Sequence, residues 1–160
     1  CTKAIQINPE YAEAYYNRGL VYAIKGLIDE AIENFTKAIQ INSQYAEAYF
    51  SRGNAYGVKE LYDKALEDFT KTIKINPEYA EVYSSRGYVY CMKELFDEAI
   101  KDYTKAIQIN PKYIEVYIKR GNVYGKKGLY DLCISDWKKA ADLGDELARE
   151  NLKKVFNIDY

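Results

Sequence analysis

The sequence has no histidine, which removes both the commonest general base and the commonest transition-metal ligand. Proline is scarce, at three residues in 160. No apolar run approaches the ~20 residues that a membrane span needs, and no secretory leader opens the chain. An excess of one charge is also missing. The 23 Lys and Arg stand against 24 Asp and Glu, a formal net charge of −1, without the basic surplus that neutralises phosphates, so nucleic acid is not an expected partner. The cysteines (Cys1, Cys91 and Cys133) are odd in number and unevenly spaced, with no CxxC pair. That argues against a disulfide framework and a zinc site and for reduced, packed thiols. No metal, cofactor or membrane insertion is expected, and reduced thiols suggest a cytoplasmic setting. A start at Cys1 rather than Met fits a piece of a longer chain.

What is present in excess is tyrosine, with 18 residues, and an internal repeat explains it. QINPEYAEAYYNRG, QINSQYAEAYFSRG, KINPEYAEVYSSRG and QINPKYIEVYIKRG recur every 34 residues without insertion, and 46–79 matches 80–113 at 20 of 34 positions. The units are 12–45, 46–79, 80–113 and 114–147, preceded by 1–11 as the remnant of an earlier unit's end and followed by 148–160 as a capping helix and tail. Twelve of the tyrosines fall in three repeated columns, those of Tyr11, Tyr15 and Tyr22.

Each unit carries two helical patterns. Ala31, Ile32, Phe35, Ala38 and Ile39 form one stripe of a 3.6-residue helix, and Tyr15, Gly19 and Tyr22 form another. Between them Gly26 suits a left-handed helix end and Asp29 suits an N-cap. The second helix stops at Asn76-Pro77 and Asn110-Pro111, and Pro then opens the next helix. A two-helix unit cannot bury its own stripes, so the units must stack. Residues 146–156 add one more amphipathic helix with Leu147, Ala148, Leu152, Val155 and Phe156 on its apolar side.

With this period, these aromatic columns, the glycines Gly19, Gly53, Gly87 and Gly121, the small residues Ala31, Ala65 and Ala99, and Phe35, Phe69, Tyr103 and Trp137, the chain resembles tetratricopeptide repeat (TPR) proteins. The resemblance implies an all-α, right-handed superhelical solenoid of helix-turn-helix hairpins. Cys133 and Ser43 depart from the family's Ala and Pro, and Glu60 and Glu94 from its turn Gly, where a side chain is less comfortable. Arg18, Arg52, Arg86 and Arg120 stand where the family has a large apolar residue. They need partners at a helix seam. Arg52–Asp68, Arg86–Asp102, Arg120–Asp136 and a neutral Arg18–Asn34 version are expected, within a unit or displaced to the next.

No nucleophile, base and orienting group converge in any known spacing, so no catalytic residue is assigned and a non-enzymatic scaffold is expected. The resemblance places the first helix of each unit on an inner wall that binds a protein or peptide. Its columns are Glu13, Glu47, Glu81, Glu115; Tyr16, Phe50, Ser84, Ile118; Asn17, Ser51, Ser85, Lys119; and Leu20, Asn54, Tyr88, Asn122. Aromatic anchors and Asn amides suit an extended or helical peptide. The Glu column has two open readings, ligand selection and a favourable helix dipole. The acidic-tail clamp of some TPR modules uses Lys and Arg, and only Lys119 is basic here. RNA-reading pentatricopeptide relatives fit neither the period nor the charge. The remaining alternative is a self-assembling solenoid that pairs through residues 1–11, where Ala4, Ile5 and Ile7 pack on the first complete unit.

Overall fold

The computed structural model describes Ile5 and residues 7–158; Cys1 and Ala4 lie outside the described residues. The chain divides into two compact units, Cys1–Glu78 and Tyr79–Tyr160. The first holds α1 (Ala12–Ile24), α2 (Ile28–Ile41), α3 (Ala46–Val58) and α4 (Tyr62–Ile75). The second holds α5 (Ala80–Met92), α6 (Phe96–Ile109), α7 (Ile114–Lys126), α8 (Tyr130–Asp142) and α9 (Glu146–Phe156). No strand occurs among the described residues. The protein is an all-α repeat of helical hairpins.

Within each hairpin the second helix lies against the first, and α2 packs on α3 as α6 packs on α7. One close approach recurs in every hairpin. A Cβ placed on Gly19 would fall 2.6 Å from Phe35, on Gly53 2.7 Å from Phe69, on Gly87 2.8 Å from Tyr103, and on Gly121 2.7 Å from Trp137. Glycine lets the aromatic ring of the second helix lie directly on the first helix's backbone. Phe35, Phe69 and Tyr103 are each 1% exposed in consequence.

The turns inside the hairpins share one hydrogen-bond pattern. The Tyr22 carbonyl accepts from Leu27 N, Tyr56 from Leu61, Tyr90 from Leu95 and Tyr124 from Leu129, each at 2.9 Å. This six-to-one closure requires a left-handed residue just before the leucine. Gly26 and Gly128 supply it at φ +75° and +74°, and Glu60 and Glu94 adopt it at φ 58° and 59° in spite of their side chains. The turn survives the loss of glycine because the hydrogen bonds and the leucine over-determine it, at a cost of about 1–2 kcal/mol per residue.

The structure corrects several sequence expectations. Asp29 is not a cap: α2 begins at Ile28 after Leu27, which makes no side-chain cap hydrogen bond, and Asp29 sits in the first turn. There it meets the helix dipole and pairs with Lys59 of the next hairpin. Pro77 and Pro111 do not open helices, since α5 and α7 begin three residues later, at Ala80 and Ile114. The prolines lie instead in turns closed by asparagine. Asn76 Oδ1 accepts from Glu78 N at 3.2 Å and Asn110 Oδ1 from Lys112 N at 3.1 Å. Asn42 makes the same turn with Gln44 at 3.0 Å, so Ser43 substitutes for Pro without changing it. Ile7 does not pack on α1 and is 84% exposed; side chains two positions apart on one helix face different sides. On α9 only Ala148, Leu152 and Phe156 form the packed stripe against α8, at 2% and 0% exposure for the first two. Leu147 and Val155 point outward at 61% and 59%. Asp145 caps α9 by accepting from Ala148 N at 2.7 Å.

Candidate functional site

The wall of each unit is built by its two first helices. On α1, Glu13, Tyr16, Asn17 and Leu20 fall at i, i+3, i+4 and i+7, a single face, and α3 repeats this with Glu47, Phe50, Ser51 and Asn54. The opposite face of α1, with Tyr15, Arg18 and Tyr22, lines a separate cleft of about 600 Å³ that also contains Glu33, Asn34 and Lys37.

In the first unit the four polar ends Glu13, Asn17, Glu47 and Asn54 are exposed. The rings are not free anchors. Tyr16 lies 5.9 Å from Phe35 and 5.0 Å from Tyr45 between ring centroids, and Phe50 lies 6.0 Å from Phe69. Each presents one half-buried face, as does Leu20, and Ser51 is half-buried beside them. Glu13 accepts a hydrogen bond from the Tyr11 hydroxyl at 3.0 Å. Tyr11 ionises less readily than a free phenol because of that bond and the Glu13 charge. Tyr45 is pushed up to about 12, by burial first and then by the negative potential of Tyr16, Glu13, Glu47 and Tyr11. Tyr11 and Tyr45, which are not among the wall columns read from the sequence, therefore belong to the electrostatic surface of this wall. Their signal was the constant spacing of Tyr two residues before each Glu.

The second unit differs at the same positions. Ser84 is 2% exposed and offers no surface; its hydroxyl is engaged by Tyr113 and by Lys119. Burial raises Tyr113, opposed by its hydrogen bond with Ser84. Lys119 reaches Glu115 at 2.8 Å and Ser84 Oγ at 3.5 Å, so the one basic wall residue is engaged within the protein. Ile118 packs beside the core around Tyr117 and Ala140. Asn122 Oδ1 accepts from Trp137 Nε1 at 3.2 Å. Glu81 is exposed and Ser85 is half-buried, while Tyr88, at 50% exposure, is the accessible large hydrophobic side chain of this wall.

The arginine column forms the expected pairs within each hairpin. Arg52, Arg86 and Arg120 hold Asp68, Asp102 and Asp136 with Nε–Oδ2 distances of 2.7, 2.7 and 2.8 Å, and Arg18 Nε donates to Asn34 Oδ1 at 2.7 Å. Among the described residues no cluster of His, Cys, Asp and Glu has the form of a metal site, and no helix is long and apolar enough to cross a membrane. Cys91 and Cys133 carry free thiols raised by burial, which disfavours the reactive thiolate.

A hairpin of two short helices seated on a glycine, repeated every 34 residues, can be compared with known proteins. The family model for the tetratricopeptide repeat matches residues 12–45 and 46–79, and a second TPR repeat model matches residues 90–128. A crystal structure of MamA is 31% identical, with a TM-score of 0.85, over 92% of this chain and 86% of that one. The chain belongs to the tetratricopeptide repeat family. PilF of Pseudomonas aeruginosa shares the fold at 21% identity and a TM-score of 0.87, over 98% of this chain and 73% of that one. The first TPR of Spaghetti (RPAP3), bound to the HSP90 peptide SRMEEVD, does so at 24% and 0.72, over 73% and 93%. A comparison with curated proteins found no match. As a TPR protein the chain is a protein-interaction scaffold.

Proposed function

We propose that the first-helix walls of this TPR protein bind a peptide segment of a partner protein, one with apolar anchors and at least one Lys or Arg. The observation that carries this reading is the exposed glutamate at the second position of every first helix, Glu13, Glu47, Glu81 and Glu115, with Tyr16 and Asn17 one turn on in α1 and Phe50 one turn on in α3. The helix dipole favours an acid there, and the same carboxylates give the wall a sign. SRMEEVD, the peptide bound by the RPAP3 domain, is acidic. Here Lys119 is committed to Glu115, and acidic tails are expected to be refused. The free thiols, Cys133 buried and Cys91 half-buried, suit a reducing compartment, and the cytoplasm is our assignment.

A peptide array, followed by photo-crosslinking from Asn54 and Tyr88 with Lys37 as the control on another face, tests this. Basic-apolar hits that crosslink from Asn54 or Tyr88 and weaken with salt support it, since exposed charges are screened over about 8–10 Å at moderate ionic strength. Mainly acidic hits, or equal crosslinking from Lys37, would overturn it. A second reading, self-association through residues 1–11, draws on the exposure of Ile7. Light scattering of the wild type and of Ile7→Lys separates the two, because only self-association makes the mass depend on concentration and on Ile7.

A further inference from the structure

In the first unit, five side chains with one electrostatic preference meet. Tyr16 and Tyr45 stand with ring centroids 5.0 Å apart and planes tilted by 45°. The Tyr11 hydroxyl donates to Glu13, which orients that carboxylate. Glu47 lies one residue inside α3, two residues after Tyr45. Both glutamates are exposed, and no ion pair holds either among the described residues. The rings rest on Ala38, Ile39 and Ala48, which accounts for their position. Packing does not account for two carboxylates kept open around them.

The second unit supplies an internal comparison, because its residues correspond to those of the first at a distance of two repeats, 68 residues. Tyr45, Glu47, Tyr16 and Ser51 become Tyr113, Glu115, Ser84 and Lys119. There the Lys119 ammonium sits 2.8 Å from Glu115 Oε1 and 3.5 Å from Ser84 Oγ, and Ser84 is bonded to Tyr113. The second unit thus carries its own cation at this place. The first unit has serine where that lysine begins, and an aromatic ring where the second unit has a small hydroxyl.

We propose that Tyr11, Tyr16, Tyr45, Glu13 and Glu47 form a subsite for one cationic side chain, a Lys or Arg of the bound peptide, in the place that Lys119 fills in the second unit. The subsite rests on the peptide-binding reading for its natural ligand and not for its chemistry. A cation within about 6 Å of a tyrosine face is drawn to the ring quadrupole. The flanking carboxylates add attraction that partial burial of the ring edge leaves incompletely screened. Burial does most to hold the Tyr45 phenol neutral, and Tyr16, Glu13 and Glu47 add to it, so Tyr45 lies within the field of both carboxylates.

The test is an NMR titration of the whole chain with n-butylammonium chloride, the bare end of a lysine, against the neutral isostere n-pentanol. Saturable shifts at Tyr16, Tyr45, Glu47 and Ser51 with the ammonium only are expected. Ser51→Lys, which puts the second unit's lysine at the matching place beside Glu47, is expected to abolish them without lowering stability. Equal shifts with the alcohol, or undiminished ammonium binding by Ser51→Lys, would overturn the subsite. For a peptide that binds the wall, replacing its Lys by norleucine is expected to weaken binding about fivefold to tenfold in the wild type and not in Ser51→Lys. Peptide binding indifferent to that replacement removes the subsite and leaves the peptide reading. Ammonium binding lost in Ser51→Lys, with no peptide found, keeps the subsite and removes the peptide reading.

Discussion

Arg52 grips Asp68 with two parallel hydrogen bonds, Nε to Oδ2 at 2.7 Å and Nη2 to Oδ1 at 2.8 Å, while Nη1 reaches Thr36 Oγ1 of the preceding hairpin at 3.0 Å. Arg120 makes the same three contacts, with Asp136 and with Thr104 at 2.8 Å. Tyrosines one turn away cover each guanidinium, Tyr49 and Tyr56 at 5.7 Å from Arg52. One arginine therefore joins both helices of its own hairpin to the previous one, and the position that carries an apolar residue elsewhere in the family carries a polar staple here.

Removing the acid should expose the consequence. The side chains of Arg52 and Asp68 are 16% and 7% exposed, so Asp68→Ala leaves a nearly buried cation unpaired and is expected to cost about 3–5 kcal/mol. Asp68→Asn copies the Arg18–Asn34 arrangement, in which the amide still accepts from Nε, and is expected to cost about 1–2 kcal/mol. Urea unfolding of the two variants measures the difference. Equal losses would mean that the charge contributes nothing beyond the hydrogen bond.

Glu60 and Glu94 are held at positive φ by the turn. Replacing either with glycine removes the left-handed penalty but adds freedom to the unfolded chain, for a net gain of about 0.5–1 kcal/mol each. Thermal unfolding should rise for each single variant and nearly additively for the pair. A fall in either would show that the Glu side chain makes a compensating contact.

Two glycines of α3 should respond in opposite directions to alanine. At Gly53 the new Cβ would lie 2.7 Å from Phe69 Cε1 and 3.3 Å from Asp68 Cβ, and Phe69 is 1% exposed while Asp68 is held by Arg52. Overpacking of about 1–3 kcal/mol is expected to exceed the ~1 kcal/mol helix-propensity advantage of alanine. At Gly57 a Cβ meets nothing within 4 Å, so Gly57→Ala should stabilise by up to about 1 kcal/mol. Denaturant midpoints of the two variants decide it, and a stabilised Gly53→Ala would contradict the seating of Phe69.

Alkaline pH should weaken the fold through its buried phenols. Burial raises Tyr103 most strongly, and Tyr113 and Tyr117 less so, and Tyr45 stands at about 12. A phenol raised in the folded state stabilises it fully below the unfolded value of about 10, and the contribution fades as pH climbs toward the folded value. Stability is therefore expected to hold through neutral pH and to fall from about pH 10 to 12. Absorbance titration at the tyrosinate band should show late-ionising phenols. In Glu47→Gln the Tyr45 signal should move down, and an unmoved signal would remove Glu47 from its surroundings.

Relations inside one repeat were legible in the sequence, because a 34-residue period and a 3.6-residue helix fix them together. Gly53 must face Phe69, and Arg52 must face Asp68, once both patterns are laid on a hairpin. The Asn-Pro stops were legible too, though not the asparagine turn that moves Pro77 outside the following helix. What the sequence did not determine are the relations between repeats, where the neighbour's side-chain volume decides. Ser84 and Tyr16 occupy one column, yet the first is buried under its neighbour and the second turns its ring onto Tyr45. Lys119 looks like a basic wall residue in the sequence, and only the packed unit brings it back onto Glu115 and Ser84. Asp29 looks like a cap and becomes the partner of Lys59, thirty residues away. The hairpin follows from periodicity. The sign and accessibility of the wall follow from how one hairpin's side chains fill the space left by the next.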